Sequence, residues 1–263
     1  MGGQYVMRLA KEKGIRVRPI DSEHSAIFQA LQGNRHEDVE DLIITASGGS
    51  LRNRTRDQLA DVTVADALAH PSWNMGKKIT VDSATMMNKG FEVIEAHWLF
   101  DIGYDHIRTV LHPESVVHSL VEYKDRSVIA QLGVPDMRVP IQYALLYPER
   151  YDNHSERLSL EDIGDLHFRK MSYERYPLLK LAYDTGKAGG NLGAVLNGAN
   201  EAAVKLFLEE KISFLEIEEL IFDAVSHFKK EGKYLPDPDL DEILDADHYA
   251  YQYVKKKALW DRH

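Results

Sequence analysis

The sequence predicts an α/β (α+β) domain followed by a C-terminal α-helical bundle domain. Through residue 150, short β-like apolar runs alternate with helical patterns. From about residue 175, apolar residues instead recur at three- and four-residue spacing. Several strand-like runs also end in turns bearing Ser or Asp, as the carboxyl ends of covered strands do in α/β folds.

Taken in order, "IRVRPI" (15–20) reads as a strand that leads into a helix at "DSEHSAIFQAL". "EDLIITA" (40–46) reads as a strand that ends in "SGGS". "KKITV" (77–81) reads as a third strand, with "DSATMMNK" opening a helix after it. "HIRTVLH", "SVVHSLVEY" and "SVIAQLG" add further strands. Residues 151–175 are polar and read as a linker. "YPLLKLAYDTGK", "NGANEAAVKLFLEEK" and "FLEIEELIFDAVSHFKKEG" are amphipathic helices, and the turn-rich "YLPDPDLDE" sets off a last helix, "ADHYAYQYVKKKAL". The expected organisation is 1–18, a catalytic 19–150, a linker 151–175 and a helical 176–263.

Composition narrows the function classes. The 263 residues are 44% hydrophobic and 28% charged, an ordinary globular balance with enough chain for a sizeable core. No apolar run of about 18 residues is present, so no membrane span is expected. The N-terminal stretch lacks the apolar core of a secretory signal, and there is no cysteine; a cytoplasmic setting is the natural expectation. A net charge of -10 argues against nonspecific nucleic-acid binding. An anionic substrate stays compatible, because a local cationic pocket can oppose the global field.

Three polar turns carry the candidate chemistry: Ser22 after Asp21, Ser47 before Gly48-Gly49, and Ser83 after Asp82. Each Ser or Asp serves equally well as an N-cap or as a ligand group, and a helix N-terminus is itself an anion site. Asp21 and Glu23 stand two apart, and Glu92 offers a third carboxylate. Three such oxygens suit Mg²⁺ or Mn²⁺, while capping and the helix dipole explain the same acids without a metal. Asn88, Lys89 and Glu92 share a helix face. Gly90 among them costs about 1 kcal/mol relative to Ala, so a close approach by a ligand or another backbone is expected there. "SGGSLR" offers mobile N–H groups and Arg52 to a phosphate, and "HPSWNMG" (70–76) reads as a surface turn or as a lid closed by Trp73. "AGGNLG" (188–193) imitates a dinucleotide fingerprint, but it follows a helix and lacks the first glycine.

The runs "PIDSEHSAIFQAL", "TASGGSLR", "HPSWNMGKKITVDSATMMNKGFEVIEAHWLF", "HPESVVHSLVEY" and "GVPDMRVPIQYALLYPER" closely resemble the 1-deoxy-D-xylulose 5-phosphate reductoisomerase family. The resemblance runs nearly end to end. It implies rearrangement of a metal-bound sugar phosphate, followed by NADPH reduction to 2-C-methyl-D-erythritol 4-phosphate in non-mevalonate isoprenoid synthesis. It implies Asp21, Glu23 and Glu92 as metal ligands, with Ser47, Ser83, Asn88 and Lys89 at the phosphate and Ser22 at a substrate hydroxyl. Glu23, His70 and Lys89 take catalytic roles by the same resemblance. His70, Trp73 and Met75 fall on a substrate lid, and Gly76 and Met137 fall near the nicotinamide. A homodimer is also implied.

This chain has Ser72 where the lid pattern has Asn, and Ser50-Leu51 where it has Pro-Phe; both changes bear on loop stiffness. "GGQYVMRLAKEKG" resembles the last helix of the family's NADPH-binding domain, so the expectation is a chain without most of that domain. Two other readings stay open: a nicotinamide-independent divalent-metal phosphosugar isomerase, and a non-catalytic ligand-binding or dimerising remnant.

Overall fold

A computed structural model of the chain describes residues 2–71, 73 and 75–260. The Ser72 departure lies outside these residues. In chain order come helices α1 (Gly3–Glu12) and α2 (Ser22–Ala30), then strand β1 (Val39–Ala46). Helices α3 (Val64–Leu68), α4 (Lys77–Thr85) and α5 (Met87–Phe100) follow. Strands β2 (Ile107–Leu111), β3 (Val117–Tyr123) and β4 (Val128–Leu132) precede α6 (Arg138–Leu146), α7 (Leu160–Ile163) and β5 (Arg169–Lys170). The chain ends in α8 (Pro177–Ala188), α9 (Leu192–Leu208), α10 (Phe214–Lys230) and α11 (Leu240–Trp260). The expected α/β (α+β) part and C-terminal helical bundle are both present. The chain divides into two compact units, each assembled from separate stretches.

One unit comprises Ala10–Gly48 and Glu95–Met171 and holds the sheet. Its strand order is β4-β3-β1-β2-β5. Only β1 and β2 run parallel, in register from Leu42 opposite Ile107 to Ala46 opposite Leu111; the other pairs are antiparallel. Alternation along β1 buries Leu42 and Ile44, and α2 lays Ala26 and Ile27 onto the sheet. Thr45 Oγ1 lies 2.7 Å from the carbonyl oxygens of both Val117 and His118, tying β1 to the start of β3.

The other unit comprises Met1–Leu9, Gly49–Ile94 and Ser172–His263. Helix α9 is its axis: Ala194, Val195, Leu196, Ala199 and Val204 are all fully buried, with α4, α8, α10 and α11 packed around it. Among the described residues, no helix is long and apolar enough to cross a membrane.

Two expected strands are absent. Residues 15–20 form no strand; Pro19 has no N–H to give a ladder, and Ile15, Val17 and Ile20 remain exposed. "KKITV" forms the first half of α4. Its β-branched run suggests a strand, but Thr80, Val81, Ala84 and Thr85 are buried together, which is helical spacing. The Thr80 N–H and hydroxyl both bond the Gly76 carbonyl oxygen and close the first turn. Of the three Ser-bearing turns, only Ser47 therefore follows a strand. The argument from strands ending at a shared edge does not hold for Ser22 and Ser83.

Candidate active site

In the sheet-bearing unit, Asp21 caps α2: the Ser22 amide donates to Asp21 Oδ1 at 2.9 Å, and the Ser25 amide to the Asp21 carbonyl at 2.8 Å. The Ser22 hydroxyl donates to Glu23 Oε2 at 2.5 Å, so the serine expected at a substrate hydroxyl also orients its neighbouring carboxylate. Asp21 thus caps a helix and still presents its second oxygen elsewhere. Its Oδ2 lies 3.8 Å from Nδ1 of the buried His24, and Glu95 Oε2 lies 3.8 Å from the same nitrogen. Donor atoms of Asp21, His24 and Glu95 all lie within 4.8 Å of one another. At 3.8 Å the pairs are too long for direct hydrogen bonds. Sequence reasoning missed His24 and Glu95. The available signal was spacing: His24 stands three after Asp21, and Glu95 three after Glu92, so each pair shares a helix face.

In the helical unit, the crowded stretch is two helices rather than one. Met86 adopts a left-handed conformation (φ 64°) between α4 and α5, with Ser83 before the break and Asn88 after it. Asn88 Nδ2 and Lys89 Nζ each donate to Glu92, at 2.5 Å to Oε1 and to Oε2 respectively. Lys89 is 5% exposed and Glu92 2% exposed, so this is a buried ion pair and not the solvated i,i+3 pair of an ordinary helix. Asp82 has a structural partner set: Lys78 Nζ at 2.7 Å and Asn200 Nδ2 at 3.0 Å, linking α4 to α9. Burial pushes its carboxyl up, against the pull of Lys78 and Asn200.

Gly90 packs against a neighbouring helix. A β-carbon there would stand 2.5 Å from the Ala182 methyl of α8. The compensation for its helix cost is thus the neighbouring helix, the second of the two close approaches expected there. Gly49 (φ 70°) is as tightly placed: a β-carbon would stand 2.6 Å from the Ser83 carbonyl oxygen. The loop after Gly49 is anchored by side-chain contacts. Ser50 Oγ donates to the Ala67 carbonyl at 2.6 Å, Leu51 is buried, and Arg54 pairs with Asp66 at 2.7 Å. The Ser50-Leu51 departure is accommodated by these contacts.

On the lid stretch, the Trp73 amide donates to His70 Nδ1 at 3.0 Å, which leaves the ring proton on Nε2. Burial, and secondarily Arg52, push the His70 pKa down, so the ring is neutral at pH 7. Gly76 is the N-cap residue of α4 and Met137 that of α6. Met75 is half-buried, and Ser47 is half-buried at the end of β1. Of the sequence-derived residues, the fold brings Asn88, Lys89 and Glu92 together in one unit, and Asp21, Ser22 and Glu23 together in the other.

Comparison with known proteins matches these features to one class, the C-terminal parts of a sugar-phosphate reductoisomerase. Residues 17–100 match the family described as 1-deoxy-D-xylulose 5-phosphate reductoisomerase C-terminal domain, and residues 132–253 match DXP reductoisomerase C-terminal domain. A 1-deoxy-D-xylulose 5-phosphate reductoisomerase of Exiguobacterium sibiricum is 57% identical over 98% of this chain and 66% of its own length. One of Bacillus cereus is 55% identical over 97% of this chain and 66% of its own. A crystal structure of DOX-P reductoisomerase in complex with NADPH, fosmidomycin and magnesium superposes with a TM-score of 0.95 at 40% identity, covering all of this chain and 68% of that one. The Zymomonas mobilis enzyme in complex with NADPH gives 0.89 at 39% identity over 97% of this chain and 65% of that one. The chain belongs to the 1-deoxy-D-xylulose 5-phosphate reductoisomerase family. It spans just under two thirds of the length of the curated relatives it matches.

Proposed function

We propose that this chain supplies the metal- and phosphate-binding part of a 1-deoxy-D-xylulose 5-phosphate reductoisomerase, which forms 2-C-methyl-D-erythritol 4-phosphate with NADPH and a divalent metal. Family membership over the whole chain supports the reaction. The observation that carries the site is the buried Asn88–Lys89–Glu92 cluster, because a buried ammonium–carboxylate pair is a poor choice for stability alone.

In this reading Asp21, Glu23 and Glu92 hold the metal. The donor set fits: three carboxylates are hard oxygen ligands suited to Mg²⁺ or Mn²⁺, and Ser22 already orients Glu23. Glu92 and Glu95 stand one turn apart on α5, and Glu95 is gathered with Asp21 and His24. When bound, the metal supplies Lewis-acid polarisation of the substrate carbonyl. Ser47, Ser83, Asn88 and Lys89 bind the phosphate, Lys89 as its cationic partner, and Ser22 takes a substrate hydroxyl. The neutral His70 donates from Nε2 while Trp73 covers the substrate and excludes water. Gly76 and Met137 border the nicotinamide. The enzyme acts as a homodimer in the cytoplasm; the exposed apolar residues Val128 and Ile129 on edge strand β4 support an interface there.

The 263-residue chain by itself binds the metal and fosmidomycin weakly and does not oxidise NADPH with the sugar phosphate. A binding-competent state populated only in part lowers apparent affinity in proportion. Calorimetry of fosmidomycin with Mn²⁺, alongside NADPH absorbance assays, tests both halves. Joining the chain to the remaining third of a matched relative should give turnover. Robust NADPH-dependent turnover by the 263 residues alone would overturn the second half, and no fosmidomycin binding by the joined protein would overturn the first.

A further inference from the structure

Arg175 stands in the short stretch that leads into α8. Its Nε donates to the Arg54 carbonyl at 3.0 Å and its Nη2 to the Leu51 carbonyl at 2.9 Å. The guanidinium also lies 4.7 Å from the ring centre of Tyr176, which is 2% exposed. An arginine that bonds two main-chain carbonyls across one loop is a clamp on that loop's backbone. The clamped segment begins at Gly49, which fits against the Ser83 carbonyl so closely that no side chain is accommodated. Just past the segment, Arg56 pairs with the buried Glu218 of α10. The same α8 that follows Arg175 packs Ala182 onto Gly90, the neighbour of Lys89.

We propose that Arg175 is a positioning residue for phosphate binding: by fixing the Gly49–Arg54 segment it holds Gly49 against Ser83. The stretch leading into α8 thus supports the segment through Arg175, and α8 itself supports the Asn88–Lys89 turn through Ala182. This rests on the phosphate reading above. Arg175 acts through main-chain carbonyls and does not touch the substrate. Lysine replaces it poorly, because its three donors radiate from one nitrogen, whereas the guanidinium reaches the two carbonyls from two nitrogens held in a planar fork.

The test compares the wild-type chain, Arg175→Lys and Arg175→Met, each joined to the remaining third of a relative. Amide exchange at residues 49–54 is measured without ligand, with α9 and α10 as internal controls. Affinities are measured for 1-deoxy-D-xylulose 5-phosphate and for unphosphorylated 1-deoxy-D-xylulose. In Arg175→Lys, exchange at 49–54 should speed at least about tenfold with the controls unchanged. The phosphorylated sugar should weaken about tenfold while the unphosphorylated one does not. Unchanged exchange, or faster exchange with phosphate preference intact, overturns the proposal while leaving the phosphate reading in place. A wild-type protein with no preference for the phosphorylated sugar overturns the reading itself, and the proposal with it. Should Arg175→Met unfold, loss of protection in α9 and α10 will show it, and Arg175→Lys alone decides.

Discussion

Gly90 of α5 and Ala182 of α8 meet where their helices cross, leaving no room for a β-carbon at position 90. Gly90→Ala gains about 1 kcal/mol of helix propensity but over-packs this crossing, at a cost of about 1–3 kcal/mol. The variant should be less stable in urea denaturation, and Gly90→Ala with Ala182→Gly should recover most of the loss. A Gly90→Ala protein more stable than wild type would mean that α8 yields at this point.

Lys89 and Glu92 form a pair buried on both sides. Lys89→Met takes the ammonium from the buried Glu92 carboxylate, and breaking such a pair costs about 3–5 kcal/mol, less what Asn88 and the other neighbours of Glu92 retain. Adding Glu92→Gln removes the stranded charge, so the double variant should unfold at a higher denaturant concentration than Lys89→Met alone. Equal midpoints would show that solvent reaches Glu92.

His70 should titrate below its ordinary value of 6.5, because burial and then Arg52 disfavour the imidazolium. In an NMR pH titration, Arg52→Gln should raise the midpoint part of the way toward 6.5, since burial is the larger cause. The sign for stability follows by linkage: with the folded pKa depressed, the unfolded chain binds more protons between the two values. His70 therefore contributes its full stability above about pH 6.5, and loses it as pH falls through that value toward the folded pKa. A midpoint at or above 6.5 would contradict the half-buried, neutral ring.

Much of this was legible in the sequence because period and turn chemistry agree. β1, β2, β3 and β4 follow alternating or short continuous apolar runs, and helices α8 to α11 bury apolar residues at three- and four-residue spacing. "KKITV" misled because three β-branched or apolar residues in a row fit either period, and only the buried Ala84 and Thr85 further on decide for helix. Asn88, Lys89 and Glu92 were legible from helical spacing. The role of Gly90 was not, because what it packs against lies some ninety residues later in the chain. Arg175 escaped for a related reason: its partners Leu51 and Arg54 are distant in sequence, and no local pattern marks such contacts.

The central claim is that carboxylates 21, 23 and 92 hold a divalent metal. It is tested most directly by titrating Mn²⁺ into the protein joined to the remaining third of a relative, with fosmidomycin present, and following binding by calorimetry or electron paramagnetic resonance. Glutamine keeps the shape of Glu23 or Glu92 but removes the charge that a hard cation prefers. Glu23→Gln and Glu92→Gln should each weaken Mn²⁺ binding by at least about tenfold, since even outer-shell partners of a metal are worth that much. Unchanged Mn²⁺ affinity in both variants would contradict the assignment.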